Sequence, residues 1–80
     1  MENLQVWNIE DHRKTHDFIK LYLSANDYVF VFIDRYDTLH IVSSTFEDLL
    51  DTDYFESIVN WLALHNYIYF GEDGDCYWIH

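Results

Sequence analysis

The run YVFVFI at residues 28–33 is the feature that most narrows the folds open to this chain. Its residues are all β-branched or aromatic, and such side chains favour a strand because they pack well on a pleated surface. No polar residue interrupts the run, which predicts a strand covered on both faces. Residues 34–37, DRYD, have turn composition, and residues 38–42, TLHIV, are the predicted partner strand. The centre of the chain is therefore predicted to form a β-hairpin.

A helix is predicted before this hairpin, from about Ile9 to Ala25. Asn8 is its candidate N-cap, because an Asn side chain at that position accepts a backbone N–H of the first turn. From Phe18 onwards, apolar residues recur with the i, i+3, i+4, i+7 spacing of one buried helix face. Residues 4–7 are expected to form a short edge strand or an ordered arm.

Two further helices are predicted after the hairpin. Ser44 and Glu47 match a capping box, which would open a short helix through Leu50. A longer helix is expected over residues 54–65, where apolar residues again recur at helical spacing. Its predicted buried face consists of Phe55, Ile58, Val59 and Leu62.

The closing segment, residues 67–79, is predicted to form a second hairpin in which Gly74 supplies a positive φ angle. The resulting order of helix, hairpin, helix pair and hairpin predicts an α+β fold, with an antiparallel sheet of two hairpins packed with two or three helices. The last third of the chain also resembles the recognition helix and wing of a winged-helix domain. Since the chain has no proline and no linker composition, residues 1–80 are predicted to form a single acidic domain.

The charge of the chain is strongly unbalanced. Its formal net charge is −11, and all four Lys and Arg residues occur at or before Arg35, whereas nine acidic residues follow. Ordinary surfaces mix the two signs. This charge argues against direct binding to nucleic acid, which needs cations facing the phosphates, and against binding to anionic membranes.

The expected location is the cytoplasm of the host cell. Cys76 is the single cysteine, so no disulfide can form within the chain, and this fits a reducing compartment. The sequence shows no basic-then-apolar leader and no apolar run of membrane-spanning length.

The acidic residues concentrate in FEDLLDTDYFE at residues 46–56 and GEDGD at residues 71–75. Side chains three or four residues apart on a helix lie about 5–6 Å apart, a step broadly similar to that between phosphates along one DNA strand. These acids are therefore predicted to present a row of anions to a groove lined with Arg and Lys. Each also has a local explanation, since acids favour helix starts and Asp favours turns. The predicted partner-binding residues are Glu47, Asp48, Asp51, Asp53, Glu56, Glu72, Asp73 and Asp75, with Asp34 and Asp37 as secondary candidates.

The sequence carries no complete pattern for a metal site or for catalysis. The alternating acids of residues 51–56 fail the EF-hand pattern, because the third alternating position is Phe55 and the sixth position is not glycine. His12 and His16 have a spacing that can ligate zinc, but no matching ligands accompany them. Cys76 is expected to be a buried small hydrophobe. We therefore expect no enzymatic activity, no metal and no cofactor.

A fifth of the residues are aromatic, and an 80-residue chain is not expected to bury every ring. Tyr and Trp are frequent anchors in protein interfaces. Some rings are therefore expected to be exposed beside the acids or to form a homodimer surface. Stacking on single-stranded nucleic acid would also need a cationic groove, which the sequence lacks.

In its size, its acidity and its two acidic segments, FEDLLDTDYFE and GEDGD, the chain resembles the small phage-encoded inhibitors that imitate DNA. These include some anti-CRISPR proteins and inhibitors of restriction or repair enzymes. The resemblance implies a non-enzymatic protein that blocks a basic nucleic-acid-binding site on a partner. Acidic immunity proteins and antitoxins, which bind basic nucleases, have a similar appearance, and the sequence does not separate the two. The alternative is an acidic interaction or regulatory module that binds through exposed aromatic residues and is able to dimerise.

Overall fold

The computed structural model describes residues 4–79. Strands β1 to β4 form an antiparallel sheet in sequence order, here called the main sheet. Strands β5 and β6 form a separate antiparallel pair, here called the small sheet. The elements are β1 (Asn8–Asp11), β2 (Phe18–Tyr22), β3 (Tyr28–Ile33), β4 (Leu39–Ser43), α1 (Asp53–Leu64), β5 (Ile68–Phe70) and β6 (Cys76–Trp78).

The predicted order of helix, hairpin, helix pair and hairpin is wrong at its first element. Residues 9–25 form most of β1, a turn and β2 instead of a helix. Along β2, Ile19 and Leu21 are buried while Phe18, Lys20 and Tyr22 are partly exposed, which is the two-residue period of a strand. Hydrogen bonding of β2 to β3 satisfies the backbone of this segment and selects that period over the helical one.

The short helix predicted through Leu50 is also wrong. Ser43 organises this segment as a turn, because its Oγ accepts the backbone N–H of Glu47 at 3.1 Å and its own N–H donates to the carbonyl of Glu47 at 2.9 Å. Such side chain to backbone bonding competes with helix formation. Within residues 4–79, α1 is the single helix, so neither a packing of two or three helices nor a winged-helix architecture is found.

The two predicted hairpins do not share one sheet, because β3 and β4 belong to the main sheet and β5 and β6 form the small sheet, so the predicted sheet of two hairpins is wrong. The remaining elements lie where the sequence predicts them. Strand β3 pairs with β4, α1 begins at Asp53, and β5 pairs with β6. Gly74 has a φ of 85° in the turn between β5 and β6, a conformation that glycine adopts without a Cβ clash. Residues 4–7 form an ordered arm, in which the N–H of Trp7 donates to the carbonyl of Tyr22 at 2.7 Å.

The hydrophobic core lies on one face of the main sheet. Alternate residues of β2, β3 and β4 point to this face, and α1 and the small sheet pack against it. The core consists of Ile19, Leu21, Val29, Val31, Leu39, Ile41, Ile58, Leu62, Ile68 and Cys76.

The opposite face of the main sheet, here called the open face, has no helix or strand of residues 4–79 packed on it. In β3, Tyr28, Phe30 and Phe32 point to this face and are only partly buried. The prediction that residues 28–33 would be covered on both faces is therefore wrong, because α1 and the small sheet lie on the same side. No helix among the described residues has the length and apolar character needed to cross a membrane.

Candidate functional site

Three of the predicted carboxylates meet in one groove. Asp37 lies in the turn between β3 and β4, and Asp73 and Asp75 lie in or beside the turn between β5 and β6. The backbone N–H of Cys76 donates to the carbonyl of Asp37 at 2.8 Å and so fastens the two turns together. The groove has a volume of about 260 Å³. We call it the acidic groove and define it by Asp37, Asp73 and Asp75 with the apolar side chains of Leu50, Phe55 and Phe70.

The wall of the acidic groove is apolar and accessible. Leu50 is 60% exposed and Phe70 is 48% exposed. Lys and Arg side chains combine an apolar stem with a charged head, so they can cover apolar surface while the head reaches a carboxylate. The acidic groove therefore suits a long cationic side chain from another molecule.

Asp34 mainly serves its own turn. Its Oδ1 accepts the backbone N–H groups of Tyr36 at 2.8 Å and Thr38 at 3.0 Å. Its Oδ2 lies 2.7 Å from Nε2 of His40. The hydrogen bond with His40, followed by that from Thr38, holds the pKa of Asp34 below its ordinary value. These hydrogen bonds within its own hairpin explain why an Asp occurs at position 34.

Asp53 and Glu56 lie in the first turn of α1 and line a different depression, together with Ser57 and Asn60. Acids in this position interact favourably with the helix dipole. Asp51 is exposed in the turn that precedes α1. These three acids are close in sequence, but the structure does not place them in the acidic groove.

The remaining candidates are exposed in loops. Glu47 and Asp48 lie between β4 and α1, and Oδ1 of Asp48 accepts the backbone N–H of Leu50 at 2.8 Å. Glu72 precedes the groove residue Asp73 in the turn of the small sheet. The predicted anions are therefore divided among the acidic groove, the first turn of α1 and the loop before it, rather than gathered on one helix face.

No Lys or Arg of residues 4–79 forms an ion pair with any of the predicted carboxylates. Among the described residues, Asp34 pairs with a histidine, and the other ion pairs involve different acids. The pairs are Glu10–His12 at 3.2 Å, Asp11–Arg13 at 2.7 Å and Asp34–His40 at 2.7 Å. The hydroxyl of Tyr77 donates a long hydrogen bond of 3.5 Å to Oδ2 of Asp75, and no Lys or Arg of the described residues neutralises the carboxylates of the acidic groove.

The metal and thiol candidates have structural explanations. Within residues 4–79, no group of three or more His, Cys, Asp or Glu side chains could hold a metal ion. The rings of His12 and His16 lie edge-on with centroids 6.5 Å apart, and His12 stacks on Phe18 at 4.7 Å. Burial raises the pKa of the Cys76 thiol to about 11, so it stays protonated and unreactive at neutral pH.

A second concave region lies on the open face, and sequence analysis missed it. It has a volume of about 660 Å³, and His16, Asp17 and Ile33 also contribute to its lining. We call it the aromatic pocket and define it by Phe18, Phe30, Phe32, Val42 and Phe46. Alternation along β2 and β3 places Phe18, Phe30 and Phe32 on one face. A prediction of strand period, two residues, for residues 18–22 would have indicated this face from the sequence.

On the remainder of the open face, the side chains contact one another. Nζ of Lys20 lies 4.0 Å from the ring centroid of Tyr28 and 5.0 Å from that of Tyr22. The hydroxyl of Tyr22 donates to Glu10 at 2.7 Å. That bond is the main cause holding the pKa of Glu10 below its ordinary value. The polar and charged groups of this part are thus paired with neighbouring side chains. The aromatic pocket is the accessible apolar part of the open face.

No family model, curated protein or solved structure matches this chain. The geometry of the acidic groove and the aromatic pocket is therefore the basis for a functional inference.

Proposed function

We propose that this protein is a non-enzymatic acidic inhibitor, which imitates nucleic-acid phosphates and occupies a basic nucleic-acid-binding site on a partner protein. The observation that supports this proposal is the acidic groove. Asp37, Asp73 and Asp75 come from two separate turns and line one groove together with the exposed side chains of Leu50 and Phe70. An Arg or Lys from a cation-lined site would place its stem on this apolar wall and form charge-assisted hydrogen bonds with the carboxylates.

The charge of the whole chain supports the same partner. A net charge of −11, with no Lys or Arg after Arg35, repels nucleic acid and attracts basic proteins. Long-range attraction of this kind speeds association and selects against partners of the same sign. The proposed partner is a basic nucleic-acid-binding protein or nuclease. The proposed location is the cytoplasm of a host cell, where the single cysteine would remain reduced.

The aromatic pocket favours a second candidate function. An acidic interaction or regulatory module, or an immunity or antitoxin protein, would dock through exposed rings and could form a homodimer. The partly exposed rings of β2 and β3 and the 78% exposure of Phe46 support this candidate. Such docking depends on apolar contact and is less sensitive to salt than phosphate mimicry.

A salt series with duplex competition separates the two candidates. The protein would be added to immobilised CRISPR effector and restriction nucleases, and binding would be measured at increasing salt and with added DNA duplex. Mimicry predicts a steep loss of affinity with salt and direct competition by duplex. Tight binding that resists salt and is unaffected by duplex would contradict mimicry and favour the interaction module.

Two variants of equal charge test whether the acidic groove makes the contact. The groove variant carries Asp37→Asn, Asp73→Asn and Asp75→Asn. The matched variant carries Asp51→Asn, Asp53→Asn and Glu56→Gln. Each neutralises three carboxylates and changes the formal charge from −11 to −8. These substitutions nearly preserve side-chain size, and Asn tolerates the positive φ of 62° at Asp37.

The groove variant is expected to lose inhibition by about tenfold or more, because charge-assisted contacts at the centre of an interface are lost. The matched variant is expected to lose much less, since it changes only the long-range field. Equal losses would mean that net charge alone drives binding. A larger loss in the matched variant would place the contact at the first turn of α1 instead of at the groove. Circular dichroism of both variants would verify that the fold is retained.

A further inference from the structure

Phe46 has a backbone conformation that its side chain disfavours. Its φ is 66°, in the left-handed region where a Cβ crowds the following carbonyl. Its side chain is 78% exposed, so burial of the ring does not offset the strain. Strained residues of this kind concentrate at binding sites, where the surrounding structure holds them in place.

The turn around Phe46 fixes the position of its ring. The N–H of Phe46 donates to the carbonyl of Ser43 at 2.8 Å, and the N–H of Ser43 donates to the carbonyl of Glu47 at 2.9 Å. The Phe46 ring lies parallel to that of Phe30, with an interplanar angle of 4° and centroids 5.8 Å apart. The turn therefore holds the backbone of Phe46 in place and directs its ring alongside that of Phe30, and such preorganisation reduces the entropy lost on binding.

The aromatic pocket beneath this ring is suited to an apolar group. Its volume of about 660 Å³ lies within the range of about 300–1,000 Å³ that is typical of ligand sites. Its walls are mainly the rings of Phe18, Phe30 and Phe32 with Ile33 and Val42. Nζ of Lys20 lies 5.9 Å from the ring centroid of Phe30, but it is closer to the ring of Tyr28, outside the pocket, at 4.0 Å. The part of a partner that enters the pocket must therefore be apolar.

The charges around the aromatic pocket indicate which kind of molecule supplies the apolar group. Glu47 and Asp48 follow Phe46 in the chain, and Asp17 contributes to the lining of the pocket. A single-stranded nucleic acid would meet these carboxylates with its own phosphates, and a second copy of this chain would bring a further charge of −11. Both are disfavoured by repulsion, whereas a segment rich in Lys and Arg is attracted.

We infer that the aromatic pocket receives a bulky apolar side chain from a basic segment of a partner protein, and that Phe46 positions that side chain. This inference rests on the proposed function, because it assigns a second contact to the same basic partner. The partner segment would combine an apolar anchor for the pocket with flanking cations for Glu47, Asp48 and Asp17.

Three synthetic peptides test the inference with the intact protein. Each has two basic residues on either side of a central phenylalanine, leucine or alanine, and binding is followed by NMR of the isotope-labelled protein. The phenylalanine and leucine peptides are expected to bind about tenfold more tightly than the alanine peptide, as burial of one large apolar side chain allows. Their largest shifts should fall on Phe18, Phe30, Phe32, Val42 and Phe46.

The outcomes separate this inference from the proposed function. Equal binding of all three peptides, with shifts confined to the acidic groove, overturns the inference and leaves the proposed function standing. Failure of all three to bind contradicts both. Saturable binding of an oligothymidylate at the aromatic pocket, or concentration-dependent dimerisation through it, would assign the pocket to a different occupant and also overturn the inference.

Phe46→Gly removes the ring and relieves the strain at once, because glycine adopts positive φ freely. The variant is expected to melt no lower than the parent protein and to bind all three peptides equally. Phe46→Tyr keeps the ring and should retain the preference for an apolar centre. Leu64→Ala is the matched control, since Leu64 is 77% exposed on α1 and should not affect selectivity. A Phe46→Gly variant that keeps the preference for an apolar centre would show that Phe46 does not serve recognition.

Discussion

Val31 and Phe32 are neighbours in β3, yet Val31 is fully buried while Phe32 remains partly exposed. The same contrast holds across the whole main sheet. Its buried face consists of aliphatic side chains that pack against α1 and the small sheet. Its open face consists largely of rings that contact one another, three histidines and Lys20. Aliphatic and aromatic residues therefore alternate along the strand according to the face they occupy.

The buried face is expected to contribute mainly to stability, and the open face mainly to recognition of a partner. Buried aliphatic side chains are removed from water completely, and each contributes about 1.5–3 kcal/mol of transfer free energy. A half-buried ring keeps one side in water, so it adds less to stability but can still contact a partner. Substitutions on the two faces are therefore expected to affect different properties.

Ile41 and Val42 provide the strongest test of this contrast, because they are adjacent and point to opposite faces. Ile41→Ala leaves a cavity in the core and is expected to lower the free energy of unfolding by about 2–5 kcal/mol. Val42→Ala acts at the open face and is expected to lower it by no more than about 1 kcal/mol. Urea unfolding followed by circular dichroism measures both. Equal losses would contradict the assignment of the core to one face.

The elements that sequence analysis predicted correctly have strong local signals. The β3–β4 hairpin follows from an unbroken β-branched and aromatic run beside a turn. Helix α1 follows from apolar residues at helical spacing, and Gly74 marks the turn of the small sheet. In each case neighbours within a few residues determine the structure, so local patterns suffice.

Residues 9–25 show why the first helix prediction failed. Phe18, Leu21 and Tyr22 fit the spacing of a helix face, but Ile19 and Leu21 also alternate with polar and aromatic residues. Both periods are present in the same short segment. Pairing with β3 decides between them, and this contact with another part of the chain is not encoded in the segment itself.

The candidate site was predictable only in part. The sequence marks Asp73 and Asp75 as one acidic turn, but Asp37 joins them through a hydrogen bond between two hairpins that are distant in sequence. The aromatic pocket was hidden for a related reason. The run at residues 28–33 is apolar throughout, so it does not reveal which face remains uncovered until the positions of α1 and the small sheet are known.

Substitutions of Phe32 test how much the open face contributes to the free energy of unfolding. Their effect is expected to be smaller than that of Ile41→Ala. Its ring stacks on His40 with centroids 4.9 Å apart and lies opposite Phe18 in the neighbouring strand. Phe32→Leu removes the stacking and is expected to lower the free energy of unfolding by about 0.5–1.5 kcal/mol. Phe32→Tyr keeps the ring and should be close to the parent protein in urea unfolding. A loss as large as that of Ile41→Ala would mean that the open face is part of the core.

Asp11 and Arg13 form an ion pair at the end of β1, which is an edge strand of the main sheet. Nη2 of Arg13 donates to Oδ2 of Asp11 at 2.7 Å, and Nη1 donates to the carbonyl of Ile79 at 2.7 Å. The guanidinium also lies over the ring of Trp78, 5.4 Å from its centroid. The pair thus connects the turn between β1 and β2 to the end of the small sheet. Hydrogen bonding from Arg13 lowers the pKa of Asp11 from 3.8 to about 2.

This ion pair is expected to give the smallest effect, and the effect should depend on pH. The pKa of Asp11 is lower in the folded protein than in the unfolded chain, so the pair stabilises the fold above about pH 4 and loses that contribution as the pH falls towards 2. Because the Asp11 side chain is 42% exposed, Asp11→Asn is expected to lower the free energy of unfolding at neutral pH by only about 0.2–1 kcal/mol.

Urea unfolding of the parent protein and of Asp11→Asn at several pH values measures this difference. It should shrink steadily below pH 4, because the protonated carboxyl of the parent then resembles the neutral amide of the variant. A difference that stays constant down to pH 2 would show that Asp11 acts through the geometry of the turn and not through its charge. In that case the guanidinium of Arg13 would be held mainly by Ile79 and Trp78, and the negative charge of Asp11 would be dispensable for joining the turn to the small sheet.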